Sequence, residues 1–130
     1  MTDFRALSVE ISLLSKEKIK VGCVLVSDCG SLISTGFNYM DERLTPILSK
    51  GLIKKSIIHA EVAAIIDGCE CSDLEMYVST APCFRCAMLA LNVGIRKITC
   101  PSPDESYHWY YNQMLAKKTM EKLGIELDYY

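Results

Sequence analysis

Four residues in two short clusters have the types and spacing of a metal-assisted hydrolytic site: His59 and Glu61 in His59-Ala60-Glu61, and Cys83 and Cys86 in Pro82-Cys83-Phe84-Arg85-Cys86. Thiolates and a neutral imidazole are ligands that Zn²⁺ favours. Cysteines three apart on a helix lie about 60° from one another around the axis, so Cys83 and Cys86 can grip one ion. Pro82 suits a first helical turn, and the positive end of a helix favours thiolates. With His59 as third ligand, the fourth tetrahedral position stays open for water, which marks a reactive rather than a structural zinc site. Two thiolates cancel the charge of the ion, so the water needs a nearby base. Glu61 fits that role, and such a proton relay typically contributes about 10² to 10⁴ in rate.

The alternatives are a closed structural zinc site, with His108 or another cysteine as fourth ligand, and a core histidine beside two inert thiols. The spacing H-x-E followed by P-C-x-x-C weighs against both, since the joint match is expected by chance only ~0.002 times in a chain of this composition.

The elements that must position these residues impose a constraint. Residues two apart on an ideal helix point about 200° apart, so His59 and Glu61 share a site only if the helix begins at or next to His59. The pattern predicts that helix over residues 59–67 and a second over 83–92, after a strand at 74–79. An amphipathic helix is expected over 3–15 on Phe4, Leu7, Ile11 and Leu14. Strands at 21–27 and 32–37 flank Asp28-Cys29-Gly30 as a hairpin. A loop with at most one helical turn spans 40–56, and Leu74–Ser79 is followed after the second helix by a strand at 95–100. A last helix is expected over 106–123 with Asp104 or Ser106 as cap, then a strand at 125–129. Strands alternating with helices give an α/β fold with a mixed sheet.

At 130 residues, half of them hydrophobic, the chain is expected to form a single domain over 1–130 with one site. A net charge of -2 argues against a polynucleotide partner. No apolar run approaches the ~20 residues of a membrane span, and Asp3 and Glu10 stand where an export signal would be basic and then apolar, so a cytoplasmic protein is expected. Seven cysteines are then reduced thiols. Cys23, Cys29 and Cys100 read as small buried residues, and Cys69 and Cys71 lack further ligands for a second metal.

The two motifs and their surroundings resemble the cytidine and deoxycytidylate deaminase superfamily. KVGCVLVSDCGSLISTGFN is similar to its first hairpin, HAEVAAI to its first motif helix, and MYVSTAPCFRCAMLALNVGIRKIT to its strand, second motif helix and next strand. AKKTMEKLGIEL resembles the end of deoxycytidylate deaminases. The resemblance implies a three-layer α/β/α fold around a five-stranded sheet, a homo-oligomer (dimer or hexamer), and hydrolytic removal of an exocyclic amine. It implies Asn38 as a contact to sugar or base, the Ala60 amide as a donor to the base, and the backbone of Thr80 and Ala81 as the surroundings of the reacting amine. Asn38 also reads as a turn residue after a strand. The chain departs from deoxycytidylate deaminases at Val62-Ala63-Ala64, where they carry x-N-A after H-A-E, and at Gly36-Phe37-Asn38-Tyr39, where they carry G-Y-N-G.

The expected substrate is a free cytosine nucleotide, dCMP or a 5-substituted relative. The alternatives are a cytosine nucleoside, a free base or guanine, or a non-catalytic subunit that binds zinc and nucleotide. Lys18, Lys20, Arg43, Lys54 and Lys55 are the candidate cations for a phosphate. The aromatic run Tyr107 to Tyr111 either stacks on a base and lines an access wall, or packs into the core or a subunit interface.

Overall fold

In the computed structural model, which describes residues 2–68 and 73–130, the chain runs α1 (Phe4–Ser12), β1 (Gly22–Val26), β2 (Leu32–Phe37), a 3-10 turn (Glu42–Leu44), α2 (Lys50–Lys55), α3 (Ala60–Gly68), β3 (Glu75–Val78), α4 (Phe84–Val93), β4 (Lys97–Cys100), α5 (Tyr110–Lys122) and β5 (Glu126–Tyr129). Cys69 and Cys71 lie outside the described residues. The five strands form one mixed sheet in the order β2-β1-β3-β4-β5, antiparallel on both sides of β1 and parallel from β3 to β5. This is the expected α/β architecture. Among the described residues no helix is long and apolar enough to cross a membrane.

Strand alternation divides the sheet into two faces. Cys23, Leu25, Met76, Val78, Ile98 and Cys100 share one core with Ala60 and Ala64 of α3, Ala87 and Ala90 of α4, and Ala116 and Met120 of α5. Alanines at the helix contacts let three helices lie close over one face. The other face carries Val24 and Tyr77, which pair across β1 and β3, and Tyr77 stacks against Phe4 of α1. The helices thus form two layers with the sheet between them.

Two glycines set the closest approaches. A Cβ on Gly22 would collide with the backbone of Ser8 and Ser12. So α1 meets the sheet through small serines, both buried, whose hydroxyls return to the carbonyls of Arg5 and Val9. This corrects the expected apolar stripe, since Leu14 is exposed and α1 ends at Ser12. On the opposite face, a Cβ on Gly36 would lie within 2.6 Å of the Ala60 carbonyl oxygen and closer still to the Ala64 nitrogen. Bare backbone in β2 therefore lets α3 sit directly on the hairpin.

Two other boundaries and the burial of one cysteine differ from expectation. The central segment forms α2 and a 3-10 turn, whose Asp41 side chain accepts from the Arg43 amide. The last helix starts at Tyr110, four residues late, because Asp104 accepts from the amide and hydroxyl of Ser106 and closes a turn instead of capping a helix. Cys29 is exposed in the hairpin turn, whereas Cys23 and Cys100 are buried.

Candidate active site

The site forms where the first turns of α3 and α4 meet over the sheet. Tyr39 and Ile58 form an isolated antiparallel bridge, with amide-to-carbonyl distances of 3.0 and 2.8 Å. The bridge anchors the residue before His59. The His59 carbonyl then accepts from Ala63, and α3 begins at Ala60 with Glu61 in its first turn. The helix entry therefore falls where the geometry of His59 and Glu61 requires it.

At the second motif the helix starts one residue later than expected. Cys83 is the N-cap of α4, with extended backbone at φ -73 and ψ 167, and Phe84 is the first helical residue. Pro82 therefore precedes the helix instead of filling its first turn. An N-cap side chain folds back toward the third helical residue, which here is Cys86. The thiols meet by capping geometry, rather than as two residues within one helix.

The sulfur atoms of Cys83 and Cys86 lie 3.5 and 3.3 Å from Nδ1 of His59. The possible ligand atoms of these three residues all lie within 4.8 Å of one another. Hydrogen bonding from Cys86, seconded by His59, holds the Cys83 thiol down to about 4 against the opposing effect of burial. The same bond, with burial, drives Cys86 the other way. The hydrogen bond to Cys83 raises the pKa of His59. Two soft thiols and an imidazole on one point, with one thiol already favouring its anion, suit Zn²⁺.

Glu61 is 4 % exposed. Burial raises its pKa first, and the negative charge of Cys83 raises it further. A carboxyl moved toward neutrality by its surroundings is suited to both taking and giving a proton.

A cavity of 530 Å³ opens onto this cluster. His59, Ala60, Glu61, Thr80, Ala81, Cys83 and Asn38 all contribute to its wall, and of the site residues singled out from the sequence only Cys86 lies behind it, against His59 and Cys83. Asn38 is largely committed to the fold: its Oδ1 accepts from the Val21 amide at 2.9 Å, and its Nδ2 donates to the Ile19 carbonyl at 2.6 Å. Of the five candidate cations, Lys18 and Lys54 line the cavity, with Glu17 beside them. Lys20 donates to the Ser15 carbonyl, and Arg43 pairs with Asp41 on the surface.

Tyr107, His108 and Trp109 line the cavity, with the Trp109 ring edge-on to His59 at 5.9 Å. They lie in the turns before α5, where they face the cavity instead of the core. Ile57, Val21 and Gln113 also line it and carried no sequence signal. The first two look like any apolar residue, and Gln113 looks like a solvated helix position.

The family model for the cytidine and deoxycytidylate deaminase zinc-binding region matches residues 3–102. No curated protein matches the chain in sequence. Among solved structures, the dCMP deaminase of the cyanophage S-TIM5 in complex with dCMP and dUMP superimposes with a TM-score of 0.78 at 19% identity, covering 98% of this chain and 93% of that one. Acinetobacter baumannii RibD, form 1, aligns with a TM-score of 0.67 at 25% identity, over 96% of this chain and 33% of that one. The cytidine deaminase of Mycobacterium tuberculosis gives 0.56 at 19% identity, over 79% and 87%. Such likenesses establish the fold, while the family match spans the hairpin, both motifs and the strand beyond them. The metal-ligand cluster and the family match lead to one conclusion: the chain belongs to the cytidine and deoxycytidylate deaminase zinc-binding family and is a zinc-dependent deaminase.

Proposed function

We propose that this deaminase acts on a free cytosine nucleotide, dCMP or a 5-substituted relative of it. One observation carries the reading: the cavity that opens onto His59, Glu61 and Cys83 also has Lys18 and Lys54 in its wall. A neutral nucleoside or base has no use for such a pair, whereas a monophosphate is held by it. The volume also falls in the range of about 300–1,000 Å³ typical of small-molecule sites.

His59, Cys83 and Cys86 would hold the zinc, which would supply Lewis acidity to the attacking water. Glu61 takes a proton from that water through a carboxylate oxygen and delivers it to the ring nitrogen. The hydroxide attacks the carbon that bears the amine, Glu61 carries the remaining proton of that oxygen to the amine, and the C–N bond breaks, so that ammonia leaves and a carbonyl stays on the ring. The elevated pKa of Glu61 matches a group that must do both. The Ala60 amide donates to the base, and the backbone of Thr80 and Ala81 surrounds the amine. Asn38 has one amide hydrogen left for the sugar or base. Trp109, edge-on to His59, closes the wall beside the ring.

The test is zinc analysis together with an absorbance assay over dCMP, CMP, dCTP, a 5-substituted dCMP, deoxycytidine, cytosine and guanine. Turnover of dCMP or its 5-substituted relative is expected. Glu61→Gln should keep zinc and lose about 10² to 10⁴ or more in kcat. Lys18→Ala and Lys54→Ala should raise KM for nucleotides and leave deoxycytidine unaffected. Preference for deoxycytidine, cytosine or guanine over every nucleotide refutes the substrate assignment, and loss of zinc in Glu61→Gln refutes the role of Glu61.

A further inference from the structure

Helix α5 touches the metal-binding turn through two consecutive residues. Gln113 Nε2 donates to the Ala81 carbonyl at 2.7 Å, and Asn112 Oδ1 accepts from the Phe84 amide at 2.6 Å. Ala81 and Phe84 stand on either side of Pro82-Cys83, so the two bonds bracket the ligand Cys83.

The local chain explains why outside support is needed. Pro82 has no amide hydrogen, and the Phe84 amide that opens α4 has no partner within its own helix. The first amide of α4 is satisfied instead from α5, and the Cys83 sulfur stays available as a ligand. Gln113 is 4 % exposed, and its amide can face Ala81 only with its nitrogen, because a carbonyl accepts. That orientation leaves Oε1 buried with no hydrogen-bond partner among the described residues. A buried unpaired carbonyl weakens a fold, and methionine would fill nearly the same volume without that penalty. The amide is therefore poorly explained by stability and well explained by what it holds.

We infer that Asn112 and Gln113 are positioning residues: they fix the Ala81–Phe84 segment, and with it the Cys83 sulfur, at the geometry the zinc requires. The inference rests on the reading of His59, Cys83 and Cys86 as zinc ligands. Groups that orient metal ligands typically contribute about 10- to 100-fold in metal affinity. The Gln113 bond is buried and the Asn112 bond is exposed to competing water, so the larger share falls to Gln113.

The test is zinc transfer to a chromophoric chelator, the absorption spectrum of the Co²⁺-substituted protein, and the melting temperature of the zinc-free protein, all on the full chain. Gln113→Met should release zinc about 10-fold more readily and alter the Co²⁺ bands, with little loss of zinc-free melting temperature. Asn112→Ala should weaken zinc by about 3-fold, whereas Asn112→Asp, which keeps the acceptor, should hold it as the parent does. Gln113→Glu at pH 8, which puts a carboxylate against the carbonyl, should behave like Gln113→Met. Equal zinc retention by the parent, Gln113→Met and Gln113→Glu overturns the inference, as does equal loss in Asn112→Ala and Asn112→Asp. If Gln113→Met does not fold, the Asn112 pair still decides. Failure of the parent to bind zinc refutes the ligand assignment itself, a distinct result.

Discussion

The approach of α3 to β2 at Gly36 invites a direct perturbation, Gly36→Ala. The added Cβ would lie 2.6 Å from the Ala60 carbonyl oxygen and still nearer the Ala64 nitrogen, and both are backbone atoms of α3. Ordinary contact begins near 3.4 Å, so α3 has to retreat by about 0.8 to 1 Å, and no side-chain rotation can relieve the clash. Glu61 lies in the first turn of that helix and His59 immediately before it, so the retreat carries both away from Cys83 and Cys86 on α4. A displacement of 1 Å at a reacting group costs about 10²-fold in rate, and overpacking of this kind about 1–3 kcal/mol in stability. The measurements are kcat on the substrate identified by the nucleotide panel, zinc content, and the thermal midpoint. Gly51→Ala is the control, because a Cβ at Gly51 has nothing within 4 Å and lies in α2, so it should be neutral or slightly stabilising. Parent-like melting temperature and kcat in Gly36→Ala would refute the claim that bare backbone at this position sets the place of Glu61.

Thiol chemistry provides two further tests. Hydrogen bonds from Ser27 first, and then from Ser31, hold the exposed Cys29 thiol below its ordinary range, whereas burial raises Cys23 and Cys100. Iodoacetamide should therefore label Cys29 in the folded protein, and label Cys23 and Cys100 only on unfolding, as read by peptide mapping. Cys100 is pushed up to about 12 from 9.0 by burial, so the folded state keeps a proton that the unfolded chain sheds. Its contribution is complete below pH 9 and is lost as pH rises toward 12. Relative to the parent, Cys100→Ala should lose less stability across that window, by up to about 1.4 kcal/mol per pH unit in chemical denaturation. Parallel stability curves for the two proteins would contradict this assignment.

Much of the site was legible in the chain because metal chemistry restricts residue type and spacing. His59, Glu61, Cys83 and Cys86 announce themselves by what they can ligate or protonate, and the requirement that His59 and Glu61 share one space placed the start of α3 correctly. Apolar runs bounded by turn residues placed β1 to β5, although β1 is buried along its whole length and shows no alternation.

What the chain alone left open depends on contacts between distant segments. The stripe predicted on α1 missed Ser8 and Ser12, because a close approach allowed by Gly22 makes small residues the best fit there. Tyr107 to Trp109 looked like the start of a helix until Asp104 turned the chain and aimed them at the cavity. Lys18 and Lys54 were two of five equal candidates, and only the folding of the α1–β1 connection and of α2 over one cavity separates them from Lys20, Arg43 and Lys55. Asn112 and Gln113 carried no signal whatever. Ligand identity is a property of side-chain chemistry and short spacing, which sequence preserves. The support that holds a ligand in place comes here from a helix about 30 residues further along the chain, and only the packing of α5 against the Cys83 turn creates it.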